Sequence, residues 1–146
     1  NEPFQQNFKH ITRKTEDIIR ERIMAKILIA DDDPILVELV RFRLEGAGHQ
    51  VCEAADGQKA MEAVKTERPD LIVLDSMMPL LSGREVLLYL QKNTATKDIP
   101  VIMLTARSGE SDIVSAIRSG ASDYLTKPFI PQELLVRIEK LVAPVT

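Results

Sequence analysis

KILIADDDP, residues 26–34, joins a short apolar run to three aspartates and a proline. A run that is apolar at nearly every position is what a parallel strand needs when helices cover both its faces. Two more runs read the same way, LIVL at 71–74 and VIML at 101–104, while VCEA at 51–54 alternates and Tyr124–Leu125 is brief, as suits strands nearer the edges. Between the runs the apolar period changes to that of helices. Pro34 fits a first helical position after Asp33, with Leu36, Leu39, Val40 and Leu44 spaced for one buried face and Gly46 as a stop. A second helix is expected from about Asp56, with Ala60, Ala63 and Val64 inward, ending before Pro69. A third starts near Ser82 and carries Val86, Leu87 and Leu90; a fourth runs roughly from Ser111 to Ser119, before Gly120. The last opens at Pro131 and buries Leu134, Ile138, Leu141 and Val142, with Phe129 placed to pack on Leu134 as a hydrophobic staple. The order βαβαβαβαβα predicts an α/β domain over residues 24–143, a parallel sheet with helices on both faces.

Outside that unit lie residues 1–23 and the tail 144–146. Phe4, Phe8, Ile11, Thr15, Ile18 and Ile23 fall near one helical stripe, so 1–23 reads as a helical extension, a linker or an appended segment. With 146 residues, 45% of them hydrophobic, the chain has material for one good core. A net charge of -3 and a pI near 5.5 make no electrostatic case for direct binding of nucleic acid or of an anionic membrane surface. No apolar run approaches the roughly 20 residues that cross a bilayer. The lone Cys52 has no internal disulfide partner, which fits a reducing, cytoplasmic setting.

Right-handed crossovers bring the C-terminal ends of all the strands to one edge of the sheet, the edge where such folds bind ligands. The residues that follow the strands are Asp31-Asp32-Asp33, Asp75, Thr105 and Lys127. Crowded carboxylates repel by on the order of 4 kcal/mol per pair at ~4 Å and an effective dielectric of about 20, so the cluster calls for a divalent cation. Oxygen ligands in a compact, partly hydrated site favour Mg2+. With Lys127 as a further positive charge and Thr105 as a hydroxyl donor, the set suits phosphoryl transfer with Asp75 as nucleophile. Each residue alone has a blander reading: Asp33 caps the helix at Pro34, Thr105 ends a strand, and Lys127 is a surface lysine. Their meeting at one edge favours the chemical reading.

The segments ILIADDDP, LIVLDSMMP, VIMLTA and GASDYLTKPF, in this order and spacing, closely resemble the receiver domain of bacterial two-component response regulators. The resemblance implies a flavodoxin-like doubly wound sheet of five parallel strands in the order 2-1-3-4-5, with a cis Lys127–Pro128 bond. It implies Asp75 as phospho-acceptor and Asp31, Asp32, Asp75 and the backbone carbonyl of Met77 as ligands of Mg2+. Thr105 and Lys127 would contact the phosphoryl oxygens, Tyr124 would swing inward as Thr105 moves, and Met77 and Arg107 would tune phosphate lifetime. The implied protein is a signalling domain rather than an enzyme with an external product, catalysing its own phosphorylation and dephosphorylation. Its partners would be a histidine kinase or phosphotransfer protein, an output partner or fused domain, and a second copy through the face between the fourth and fifth helices. Three departures stand out. Leu80-Leu81-Ser82-Gly83 places an extra apolar residue after Pro79, Ile130 replaces a capping residue at a cost of ~1 kcal/mol, and Ile113 stands where a basic dimer-pairing residue is common, although Asp123, Glu133 and Arg137 match the charged dimer face.

Two other readings compete. Asp31 and Asp33 form a DxD pattern, as in haloacid-dehalogenase-type phosphatases, with Asp31 as nucleophile and Asp33 as acid/base. The fold could also serve as an interaction module without phosphorylation. A flavin site is disfavoured, because the loop after the first strand is acidic where a phosphate cradle is needed.

Overall fold

The computed structural model describes residues 24–106, 114–115 and 118–143; expectations about 1–23, Arg107, Ile113 and 144–146 lie outside these residues. In chain order the elements are β1 (Lys26–Ala30), α1 (Pro34–Gly46), β2 (Gln50–Ala54), α2 (Gly57–Glu67), β3 (Leu71–Asp75), α3 (Gly83–Lys92), β4 (Val101–Thr105), β5 (Asp123–Thr126) and α4 (Pro131–Val142). Residues 114–115 and 118, from the expected fourth helix, are helical. The strands form one sheet in the order β2-β1-β3-β4-β5, and every neighbouring pair is parallel, as the resemblance implied.

Two-residue alternation divides the strands between two cores. Ile27, Ile29, Leu71, Val73, Ile102, Leu104 and Leu125 face α1 and α4, which supply Val37, Val40, Leu44, Leu134, Leu135 and Ile138. Leu28, Ala30, Ile72, Leu74, Val101 and Met103 face α2 and α3, which supply Ala60, Val64, Val86, Leu87 and Leu90. The central β3 and β4 are buried along their whole length, whereas the outer β2 is buried only at Ala54.

Local chemistry sets the helix limits. Asp33 accepts from the amides of Ile35 and Leu36, and Pro34 needs no partner at the first helical position. Asp56 caps α2 through the amide of Lys59, and Ser82 with Glu85 forms a reciprocal capping box on α3. Ile130, the N-cap of α4, makes no side-chain cap bond, as its apolar side chain requires. Phe129 packs against the cluster that contains Leu134. One expectation is corrected. Leu39 is exposed, and α1 turns Val37 inward with Val40 and Leu44. The hydrophobic period of α1 is ambiguous because Ile35, Leu39 and Phe42 form a second apolar stripe, and that stripe faces outward.

Candidate functional site

The strand order reverses direction between β1 and β3, the switch point at whose C-terminal edge such sheets bind ligands. Asp31 follows β1 and Asp75 ends β3. Both are buried, and their carboxylates with that of the exposed Asp32 place one oxygen each within 4.8 Å of one another. Asp31 is held from two sides, by the Asp33 amide at 2.9 Å on Oδ1 and by Lys127 Nζ at 2.7 Å from Oδ2. Asp75 Oδ1 accepts from the Met77 amide at 3.3 Å, and its Oδ2 lies 3.4 Å from Lys127 Nζ. One ammonium thus spans two carboxylates on neighbouring strands.

The electrostatics follow from this placement. Burial pushes the Asp75 carboxyl above its ordinary range, and the nearby Asp31 charge adds to the rise, against the opposing pull of Lys127 and the Met77 amide. Burial works against the Lys127 charge too, but its bonds to Asp31 and Asp75 outweigh that and raise its pKa. A cavity of about 290 Å³ adjoins Asp31 and Asp32, with Glu53 and Lys59 also lining it.

The remaining expected residues fall around this centre. Thr105 ends β4, is buried, and its carbonyl accepts from the Lys127 amide at 2.7 Å, which ties the Lys127 loop to β4. By strand alternation Thr105 shares a face with Met103, and Tyr124, opposite Met103 on β5, packs half-buried against that same core. Met77 is exposed beside the acceptor, and the Lys127–Pro128 bond is cis, as implied. Arg107 lies outside the described residues.

Two positioning residues escaped the reading of motifs. A Cβ on Gly83 would lie 1.9 Å from the Asp75 carbonyl oxygen, and one on Gly57 would lie 1.9 Å from that of Leu81. These glycines let α3 and α2 close on the loop that follows the acceptor. The available signal was their position, a poor helix former at the first residue of each helix. The Asp31–Lys127 pair was also missed, since residues far apart in sequence show no pairing until the sheet is built.

The phosphatase reading loses its acid/base: Asp33 Oδ1 caps α1, engaged by the amides of Ile35 and Leu36.

A doubly wound sheet with an acidic, lysine-bridged pocket at its switch point defines a class of phosphoryl-accepting and cation-binding α/β domains. Within that class the chain belongs to the response regulator receiver domain family, whose model matches residues 27–139. It is 43% identical over 117 residues to the alkaline phosphatase synthesis transcriptional regulatory protein PhoP of Bacillus subtilis, covering 80% of this chain and 48% of that protein. The receiver domain of the Francisella response regulator 1452 superposes with a TM-score of 0.76 at 36% identity, covering 81% of this chain and 96% of that one. The receiver domain of the sensor histidine kinase PA1611 of Pseudomonas aeruginosa PAO1, solved with a magnesium ion coordinated in its active site cleft, superposes at 0.75 with 27% identity, covering 83% and 99%. The chain spans about half the length of the curated relatives it matches. This is a signalling domain of two-component systems.

Proposed function

We propose that Asp75 receives the phosphoryl group, with Asp31, Asp32, Asp75 and the Met77 carbonyl as the set that would hold Mg2+. The carrying observation is the buried Asp75 carboxylate at the switch point, with Lys127 3.4 Å away and two further carboxylates beside it. Hard oxygen donors clustered in a half-wet crevice are the donor set that Mg2+ takes, and when bound the ion supplies charge neutralisation for the transferring oxygens. An Asp75 oxygen attacks phosphorus, the P–N bond to a donor imidazole breaks, and its electron pair remains on the donor nitrogen. The product is an acyl phosphate on Asp75. Lys127 can turn from Asp31 and Asp75 to the phosphoryl oxygens, and Thr105 supplies a hydroxyl at the end of the adjacent strand.

The donor is a histidine kinase or phosphotransfer protein. The outward stripe on α1 supports a protein donor: Ile35, Leu39 and Phe42 are 70%, 58% and 81% exposed, and the stripe begins two residues after the Asp33 cap. A protein that delivers phosphate to Asp75 must cover this rim, where the exposed Met77, Leu80 and Ile130 also lie. Phosphorylation then shifts Thr105 and Tyr124 and alters the exposed face of α4, with Met77 and Arg107 setting how soon water removes the phosphate. The chain is cytoplasmic in this reading, since no helix among the described residues is long and apolar enough to cross a membrane and its donor chemistry is intracellular. The output lies in a partner or a further domain, as the transcriptional role in the name of PhoP illustrates for that relative. A second copy could pair through α4 once Arg137 exchanges its contacts within the molecule, to Asp123 at 3.0 Å and Glu133 at 3.5 Å, for contacts across an interface.

The test is intact-mass measurement after acetyl phosphate treatment, with and without Mg2+, on the native sequence and on Asp75→Ala. A labile, Mg2+-dependent single phosphoryl adduct is expected, absent from Asp75→Ala. An adduct of the same kind on the variant would move the acceptor elsewhere.

A further inference from the structure

At the other end of the sheet a buried histidine is used by none of this chemistry. The His49 side chain is fully buried, in the turn between α1 and β2. Its Nδ1 accepts a hydrogen bond of 3.0 Å from the backbone amide of Ala25, immediately before β1. Its own amide donates to the Leu44 carbonyl of α1 at 3.1 Å, and the next amide, that of Gln50, donates to the Ala25 carbonyl at 2.9 Å. Its Nε2 is buried without a hydrogen-bond partner and lies 3.8 Å from Glu139 Oε2 on α4. Among the described residues, Glu139 is the charged group whose field bears on the ring. On β1 and α1 the residue bonds to backbone groups, its ring to the Ala25 amide and its own amide to the Leu44 carbonyl.

We propose that His49 is a proton-operated latch, which when neutral fastens the start of β1 to the turn after α1 and when protonated releases it toward α4. The chemistry leaves one route. With Nδ1 accepting, the neutral ring carries its proton on Nε2, so an added proton must enter at Nδ1, the only free lone pair. The Ala25 amide then faces an N–H in place of an acceptor, and that bond is lost. The imidazolium gains an ion pair by closing the 3.8 Å gap to Glu139. Burial holds the His49 pKa below its ordinary value, and Glu139 opposes that shift. The stability that neutral His49 contributes is therefore present above the ordinary histidine pKa of about 6.5 and is lost as pH falls through the lower folded-state value.

The test uses the full chain and reads two signals between pH 8 and 5, the imidazole nitrogen shifts of His49 and the hydrogen-exchange protection of the Ala25 amide. As pH falls from about 6.5 toward the His49 midpoint, protection of Ala25 should fall by up to about tenfold per pH unit and then level off. His49→Asn keeps an acceptor at the Nδ1 position and has no proton to gain, so its Ala25 protection should stay level. Glu139→Gln removes the favourable charge that the described residues supply, so the midpoint of both signals should move to lower pH. Ala25 protection that survives protonation of His49, or that is lost equally in His49→Asn, would overturn the latch. So would a His49 that stays neutral until the whole domain unfolds.

Discussion

The two ends of the sheet use similar side chains in opposite ways. At the N-terminal edge, polar side chains close on the backbone. Asp70 Oδ2 accepts from the Lys26 amide at 2.8 Å while the Asp70 amide donates to the Lys26 carbonyl at 2.7 Å. Ser122 and Val101 make a similar reciprocal pair, at 3.3 and 2.8 Å, and His49 holds Ala25. At the C-terminal edge, Asp31, Asp75 and Lys127 close on one another, so like charges are kept near each other. Asp70 bonds to backbone alone, whereas Asp31 and Asp75, each also holding a backbone amide, keep like charges close across a shared ammonium. Bonds to backbone stabilise one end, and like-charge repulsion is held in place at the other.

The sharpest break of this contrast is at Gly83. A Cβ there would meet the Asp75 carbonyl at 1.9 Å, and the obstructing atom is backbone that cannot swing away. Gly83→Ala should cost about 3 kcal/mol or more in urea unfolding and should also slow labelling by acetyl phosphate, because Asp75 must shift. If stability fell with labelling intact, the loop would be more compliant than its packing indicates. Lys127→Met comes next. It strands the buried Asp31 and leaves Asp75 against a like charge, at a cost of about 2 kcal/mol at pH 8. Because the Asp75 pKa is already raised, and rises further without Lys127, the fold prefers the protonated acid. The loss should therefore be greatest above that pKa and shrink as pH falls through it. Unfolding midpoints at pH 8 and pH 5 read this directly. Acetyl phosphate labelling at pH 8 should drop by about 100-fold.

The same contrast explains what was legible in the sequence. The strands that bury both faces were readable because Ile27–Ala30, Leu71–Leu74 and Val101–Leu104 have no polar interruption, and the helix starts because Asp33, Asp56 and Ser82 bond locally. The acidic set was readable as residues following strands. Leu39 was misplaced because α1 carries two apolar stripes, and only docking on the sheet and on α4, joined to α1 by Arg43 and Gln132, decides between them. The Lys127–Asp31 pair, the close approach of Gly83 and the His49–Ala25 bond depend on segments brought together by the sheet, so no local pattern announces them.

Asp70→Ala probes the fastening end by itself. It leaves the Lys26 amide without its carboxylate and should cost about 1 kcal/mol. The site lies at the far end of the strands, so labelling by acetyl phosphate should change by less than about twofold. A larger drop in labelling would mean that the two ends are coupled, and the contrast between them would need to be redrawn.

The smallest expected effect asks why the site end tolerates a poor cap. Ile130 sits at the N-cap of α4 with φ -93 and ψ 142, backbone angles that suit a capping aspartate, yet it makes no cap bond and is 65% exposed. Ile130→Asp should stabilise the domain by about 0.5–1 kcal/mol by bringing a carboxylate acceptor to the first turn, where the Glu133 amide now reaches only the Ile130 carbonyl at 3.0 Å. If Ile130 is kept as part of the rim that a protein donor covers, the variant should be more stable and equally labelled by acetyl phosphate, but slower to accept phosphate from a histidine kinase. Those three measurements together separate a stability defect from a contact. Equal transfer from both donors would leave the missing cap as a simple loss, and the apolar rim would then be confined to α1, Met77 and Leu80.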